Sequence, residues 1–273
     1  MTTGHILIAV LLNAAAAVGA HRRRAVTPTG AVAGFVVGAG ILAFGGWTSW
    51  VLLMTFFGSS TVLSRVKSSS KDTVSKLHEK GSRRDHVQVL ANAGVGLVMS
   101  AAYAATGMPM FLVAVAVSFA AANADTWASE IGVLSASAPV SILGAGRLPR
   151  GTSGGVSLLG FAASAVGSGL IALVFSLFYG FTAGWGAGVL LIFAVITAGG
   201  FLGSLIDSIL GATVQAQYTD SATGAPTERR HSPHAEAPNT LRRGFASVTN
   251  DAVNAISCLL STAAGASLYL LAG

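Results

Sequence analysis

Met108-Pro-Met-Phe-Leu-Val-Ala-Val-Ala-Val-Ser-Phe-Ala-Ala-Ala-Asn123-Ala-Asp125-Thr-Trp127-Ala-Ser129-Glu130-Ile-Gly132-Val-Leu134 is the stretch that decides the fold. Its first part, up to Ala122, carries no charge and one hydroxyl, Ser118. Roughly 20 apolar residues, at about 1.5 Å each, cross a bilayer as a helix. Two carboxylates then follow in a segment that is otherwise apolar, which a soluble core would not tolerate cheaply. The same kind of run recurs along the chain at 5–20, 29–45, 47–63, 87–105, 152–178, 185–214 and 251–271. Only 10% of the residues are charged and 52% are hydrophobic, whereas a soluble domain carries about 25% charged residues. The sequence predicts an all-α, polytopic transmembrane bundle of about eight spans, forming a single integral membrane domain over 1–273. Stretches 108–134 and 185–214 exceed a simple span. Each is expected to cross once and continue as a bent or broken segment near one face.

Charge orders the spans. Arginine and lysine fall at 22–24, within 65–84, at 147 and 150, and within 229–243, and these four clusters hold all 16 basic residues. With eight spans all four lie on one side, and the turns at 45–46, 106–107 and 179–184 carry none. The positive-inside rule makes that side cytoplasmic, with loops at about 64–86, 135–151 and 215–250 and both termini outside. The first apolar stretch ends in His21-Arg22-Arg23-Arg24, the wrong order for a cleavable signal. The single cysteine, Cys258, reads as a small packing residue. The loop 215–250 is polar, contains prolines and shows no periodicity; it reads as a mobile lid or a plain connector.

Six acids, Asp72, Glu79, Asp85, Asp220, Glu228 and Glu236, sit in the basic loops. The other four, Asp125, Glu130, Asp207 and Asp251, lie in or beside spans, where an ionised group marks a functional site by default. Asp125 lies about 25 Å along its stretch, close to the basic side. Asp207, Asp251 and Asn92 reach a similar depth on three other segments. Carboxylates bind a hard cation such as magnesium, and arginines bind phosphate. The combination suits phosphoryl transfer at the membrane surface. The alternative is that these acids pair with arginines or mark helix ends. On a helix Asp125 and Ser129 share a face at i,i+4, while Glu130 turns away from Asp125 by about 140°. Either the segment unwinds or the two carboxylates serve different partners. Trp127 reads as an interfacial anchor.

Three further motifs complete the set. Gly144-Ala-Gly-Arg147-Leu-Pro-Arg150-Gly-Thr152-Ser-Gly154-Gly155-Val-Ser157 is a basic, glycine-rich loop entering a helix. Bare N–H groups there suit phosphate, although Thr152 or Ser153 could equally be an N-cap. Ser204, Asp207, Ser208 and Gly211 recur at i, i+3, i+4, i+7, a polar face that must look inward. Asn250-Asp251-Ala-Val-Asn254 opens the last span. His78, His86, His231 and His234 show no metal spacing.

Ala124–Gly132, Arg150–Ser157, Gly203–Ala212 and Asn250–Asn254 resemble, in order, the integral-membrane family of transmembrane protein nineteen, which includes the plant phytyl-phosphate kinases. A fainter likeness extends to the dolichol and phytol kinases and the CDP-diacylglycerol synthases. Those relatives use CTP and magnesium, and their loop often carries a lysine where this chain has Arg150-Gly151. The resemblance implies a kinase acting on an isoprenyl monophosphate, with CTP or another nucleoside triphosphate as co-substrate and Mg2+ as cofactor. It assigns Asp125 and Asp207 to the metal, with Glu130 and Asp251 next. Arg147, Arg150, Thr152, Gly154 and Gly155 would cradle phosphate, and Asn92, Ser129, Ser204 and Asn254 would orient ligand or water. Membrane lipid is the surrounding partner, a homo-oligomer is compatible with the chain, and no nucleic acid is expected. Two other functions stay open: a CTP-dependent lipid cytidylyltransferase, and a transporter of an anionic lipid or metabolite.

Overall fold

Each apolar run folds as helix because lipid offers the backbone no hydrogen-bond partner outside the segment. The computed structural model of the chain describes residues 3–66, 68, 80, 83–144, 146–232 and 237–272. Lys67, Lys71, Asp72, Lys76, His78, Glu79, His234 and Glu236 lie outside the described residues. Among those described are seven helices: α1 (Thr3–Arg22), α2 (Pro28–Ser64), α3 (His86–Thr106), α4 (Pro109–Gly132), α5 (Leu158–Ala183), α6 (Ala187–Thr213) and α7 (Asn250–Ala272). All but α1 are long and apolar enough to cross a membrane, and α1 has a shorter apolar core from Leu7 to Arg22.

Helix α2 accounts for two of the expected spans. Straight, its 37 residues would reach about 55 Å. It is interrupted at Gly46, whose φ of +71° and ψ of −170° leave the helical region. Its two ends meet again. The Arg65 guanidinium donates to the Arg23 carbonyl at 3.0 Å. Arg84 exchanges backbone bonds with Ala25 and Thr27 while its side chain donates to Thr61 at 3.1 Å. The helix therefore folds back on itself, and the chain makes eight helical passes, with the basic residues among those described gathered at one end.

The two over-long stretches are not broken. Both α4 and α6 run as continuous helix to Gly132 and Thr213. The glycines in 185–214 serve packing. A Cβ on Gly199 would lie 2.8 Å from Val117, on Gly200 2.6 Å from Ala120, and on Gly203 2.5 Å from Ala121, all on α4. Gly265 of α7 approaches Val117 in the same way, at 2.8 Å. Helix α4 is the hub: residues 113–124 are all buried, and it packs against α2, α3, α5, α6 and α7. Without a hydrophobic drive between helices in lipid, such close approach supplies the attraction.

Side-chain caps set the starts of α2, α3 and α5. Asp85 and Gln88 form a capping box on α3, with bonds of 2.9 and 3.1 Å. Ser157, not Thr152 or Ser153, caps α5, accepting from Gly160 N at 3.1 Å. The segment after α6 is ordered rather than plain connector: strands β3 (Gln217–Thr219), β4 (Pro226–Thr227) and β5 (Thr240–Arg243) pair antiparallel in the order β4-β3-β5. A second pair, β1 (Val140–Ser141) and β2 (Gly155–Val156), pins the glycine-rich loop.

Replacing Gly200 by Val should destabilise the bundle by roughly 1–3 kcal/mol through overpacking against Ala120 and Ser168. Thermal unfolding in detergent checks this; an unchanged melting temperature would mean that α4 and α6 are not in close contact.

Candidate active site

At the basic end, where the helices stop, they enclose a polar cavity of about 350 Å³. Its floor is built from α4 and α6. Asp125 follows directly after the fully buried block of α4, and Ser129 stands one turn further on. Ser204, Asp207, Ser208 and Gly211 of α6 all line the cavity, as their helical spacing requires. Asp125 and Asp207 lie near enough for their charges to interact. Ser257 of α7 donates to the Asp207 carboxylate at 3.2 Å and orients it.

Because α4 stays helical, Glu130 looks elsewhere. It lines the cavity on the side of Arg84, whose charge it supports. Burial pushes the Arg84 guanidinium below its ordinary range, and the Glu130 carboxylate works against that shift. Phe57 flanks the same guanidinium at 5.6 Å.

The roof is the loop from Arg150 to Ser157. Arg150 is anchored by donating to the carbonyls of Ser135 and Ala136, at 2.8 and 3.0 Å, just past the end of α4. Gly154, at φ +82°, lies so close to α6 that a Cβ would sit 2.4 Å from that of Ala212. No other residue fits there, whatever else the glycine does. The segment after α6 fixes the loop from above. Ser153 donates to Glu228 at 2.6 Å, and Gln215 donates to both Ser153 and Glu228, at 3.0 and 2.9 Å. Arg243 of β5 donates to the Gly211 carbonyl at 3.0 Å.

Of the residues singled out from the sequence, Asn92, Asp125, Ser129, Glu130, Arg150, Thr152, Gly154, Gly155, Ser204, Asp207 and Asn254 line this one cavity. Arg147 and Asp251 do not. Arg147 is exposed and bridges to Val140 beside the β1–β2 pair. Asp251 is buried and takes an ion pair from Lys80 at 2.5 Å, while the same ammonium holds Asp85 at 2.8 Å. It marks the start of α7, as the alternative reading had it, but its partner is a lysine rather than an arginine, and the pair joins the starts of α3 and α7. Trp127 is no interfacial anchor; it packs at 3.0 Å on the Cβ position of Gly167 and donates to Ser59 at 3.3 Å. Asn123, one helical turn away, ties Ser59 to the Gly167 carbonyl. Cys258 is buried in packing, its thiol directed at the Ser118 carbonyl.

Reading the sequence missed Arg84, Gln88, Gln215 and Glu228. Arg84 was one of seven basic residues in its loop; the capping pair Asp85 and Gln88 was the available signal, since it places Arg84 at a helix mouth. Glu228 had no signal, lying in a loop without periodicity.

Comparison with known proteins fits this architecture. Residues 11–262 match the family model described as Integral membrane protein DUF92. The chain belongs to that family. It is 32% identical to Protein PGR of Arabidopsis thaliana over 77% of this chain and 79% of the relative. An uncharacterised membrane protein of Methanocaldococcus jannaschii is 30% identical over 76% and 82%, and one of Synechocystis 27% over 78% and 81%. No solved structure is significantly similar.

Among the described residues no three histidine, cysteine or acidic side chains converge as a metal cage. Asp125 and Asp207 still suit magnesium, which is commonly held by one or two carboxylates, with water and substrate phosphates completing its shell.

The Lys80 clamp should matter for stability across neutral pH. Burial works against the Lys80 charge, yet its bonds to Asp251 and Asp85 hold it above its ordinary 10.5. Burial would raise Asp85, but Lys80 and the Gln88 N–H hold it below its ordinary 3.8. Asp85 therefore adds stability above pH 3.8 that is lost as the pH falls through its lower folded value. Lys80 adds stability below pH 10.5 that is lost as the pH rises through its higher folded value. Lys80→Met at pH 7 should cost about 1–3 kcal/mol by stranding the buried Asp251; thermal unfolding in detergent measures it, with Lys80→Arg retaining most of the stability.

Proposed function

We propose that this protein is a membrane-embedded kinase that moves the γ-phosphoryl group of a nucleoside triphosphate, CTP by preference, onto an isoprenyl monophosphate to give the diphosphate. One observation carries this reading: two carboxylates from different helices, Asp125 and Asp207, lie beneath a glycine-rich, arginine-bearing loop in a single cavity at the basic end of the bundle. By the positive-inside rule we place that end in the cytosol, where nucleotide is available.

The chemistry needs no dedicated base. The second pKa of a phosphate monoester is about 6, so the acceptor oxygen is already anionic at neutral pH. Its bond to the γ-phosphorus forms as the bond from that phosphorus to the leaving nucleoside diphosphate breaks, and no proton need move. The obstacle is repulsion between two polyanions. Arg150 and Arg84 supply positive charge on two sides of the cavity, and the N–H groups of the 151–155 turn add dipoles without reorganisation. A divalent cation held by Asp125 and Asp207 would neutralise phosphate charge. Glu130 and Asn92 stand beside Arg84, where they can orient it and the acceptor phosphate. The grouping of acids at one end rather than at mid-depth favours an enzyme over a transporter, whose sites lie near the membrane midplane. The resemblance to the phytyl-phosphate kinases points the same way.

The test is purified protein in detergent with magnesium, phytyl phosphate and CTP labelled at the α or γ position. Label from the γ position in the lipid product supports the kinase; label from the α position means cytidylyl transfer, and no labelled lipid with either CTP or ATP overturns both. Asp125→Asn and Asp207→Asn should each lower turnover by about 10²-fold or more with the melting temperature retained.

A further inference from the structure

Beside the polar cavity runs a second one of opposite character. It lies between α1, both halves of α2 and the start of α3. Among its eighteen lining residues only Asn13, Arg84, Gln88 and Asn92 have polar side chains. Asn13 is neutralised as a polar group, since its amide donates to the Ala9 carbonyl at 2.8 Å and accepts from Trp50 at 3.0 Å. The other three, Arg84, Gln88 and Asn92, also line the polar cavity. The two spaces thus adjoin at one place, and that place carries a half-buried cation, Arg84.

This shape selects its occupant. A soluble anion would make no use of the apolar trench, and a neutral lipid would make no use of the Arg84 charge, which Glu130 faces from the polar cavity only. A molecule with a phosphate head and a hydrocarbon tail meets both requirements. We propose that the trench between α1, α2 and α3 holds the tail of the phosphorylated lipid, with its phosphate at Arg84, Gln88 and Asn92, turned toward Asp125 and Asp207. The proposal rests on the kinase reading for what happens to the phosphate, but not for where the tail lies.

The trench wall contains a position where it can be narrowed without harm to the fold. A Cβ on Gly34 would meet nothing within 4 Å, whereas one on Gly30 would strike the Arg84 carbonyl at 2.2 Å. Ala17 of α1 lines the same trench. A larger side chain at Gly34 or Ala17 therefore takes up tail space and leaves the polar cavity unchanged.

The experiment uses the full chain in nanodiscs with two probes: phytyl monophosphate carrying a diazirine at its far end, and a monophosphate of a single isoprene unit. Photolabelling should fall on residues of α1 and α2. Gly34→Leu should lower retention of the phytyl probe by about tenfold and leave the single-isoprene probe unaffected, with Ala17→Leu giving the same pattern if Gly34→Leu does not fold. Label on α5 or α7, or unchanged phytyl retention in the folded variants, overturns the trench. Phosphoryl transfer that persists in that case leaves the kinase reading standing. Label in the trench without transfer from any nucleotide sinks the kinase and keeps the lipid site.

Discussion

Val117, Ala120 and Ala121 receive three glycines of α6 at distances where no side chain could intervene, and the rest of the molecule is arranged around that contact. In lipid, apolar side chains gain nothing by leaving the solvent, so helices adhere through van der Waals contact and a few hydrogen bonds. Small residues bring backbones together and multiply those contacts. Helix α4 uses this on every side, which is why its residues 113–124 are buried all round. Its polar members are satisfied locally: Ser118 bonds to the Val115 carbonyl, and Asn123 to Ser59 and the Gly167 carbonyl.

The hub also fixes where the carboxylates of the candidate site meet. Asp125 is the first residue beyond the buried block of α4. Asp207 lies four residues beyond Gly203, whose close contact with Ala121 sets the register of α6 against α4. The packing of two helices therefore determines how two carboxylates meet. Around them the end of the bundle supplies cations and backbone dipoles, and the segment after α6 holds the roof at Ser153 through Glu228, Gln215 and Arg243. Two carboxylates near enough to interact repel each other unless a cation or proton shares the site, and the adjoining arginines give anions a reason to enter.

Much of this was legible in the chain because each span must satisfy its own backbone bonds, so its length and hydropathy declare it. The turn at Gly46 showed as a gap between two runs. The stretch 185–214, expected to bend or break because of its length, runs as one helix whose glycines mark a neighbour. Asp251 and Asp207 looked alike in one dimension, both acids at a span's basic end. Lys80, distant in sequence, pairs with the first and not the second. Glu228 and Arg84 reach the cavity only because loops fold over the helix ends.

Number of passes, their common basic end and the depth of the acids follow from the sequence by itself, since each depends on how one segment partitions between water and lipid. Which acids share a cavity, which one is tied into an ion pair, and that an apolar trench opens onto the polar one at Arg84 were decided by tertiary structure. Those relations depend on side-chain shape between segments far apart in the chain, and partitioning is indifferent to neighbours.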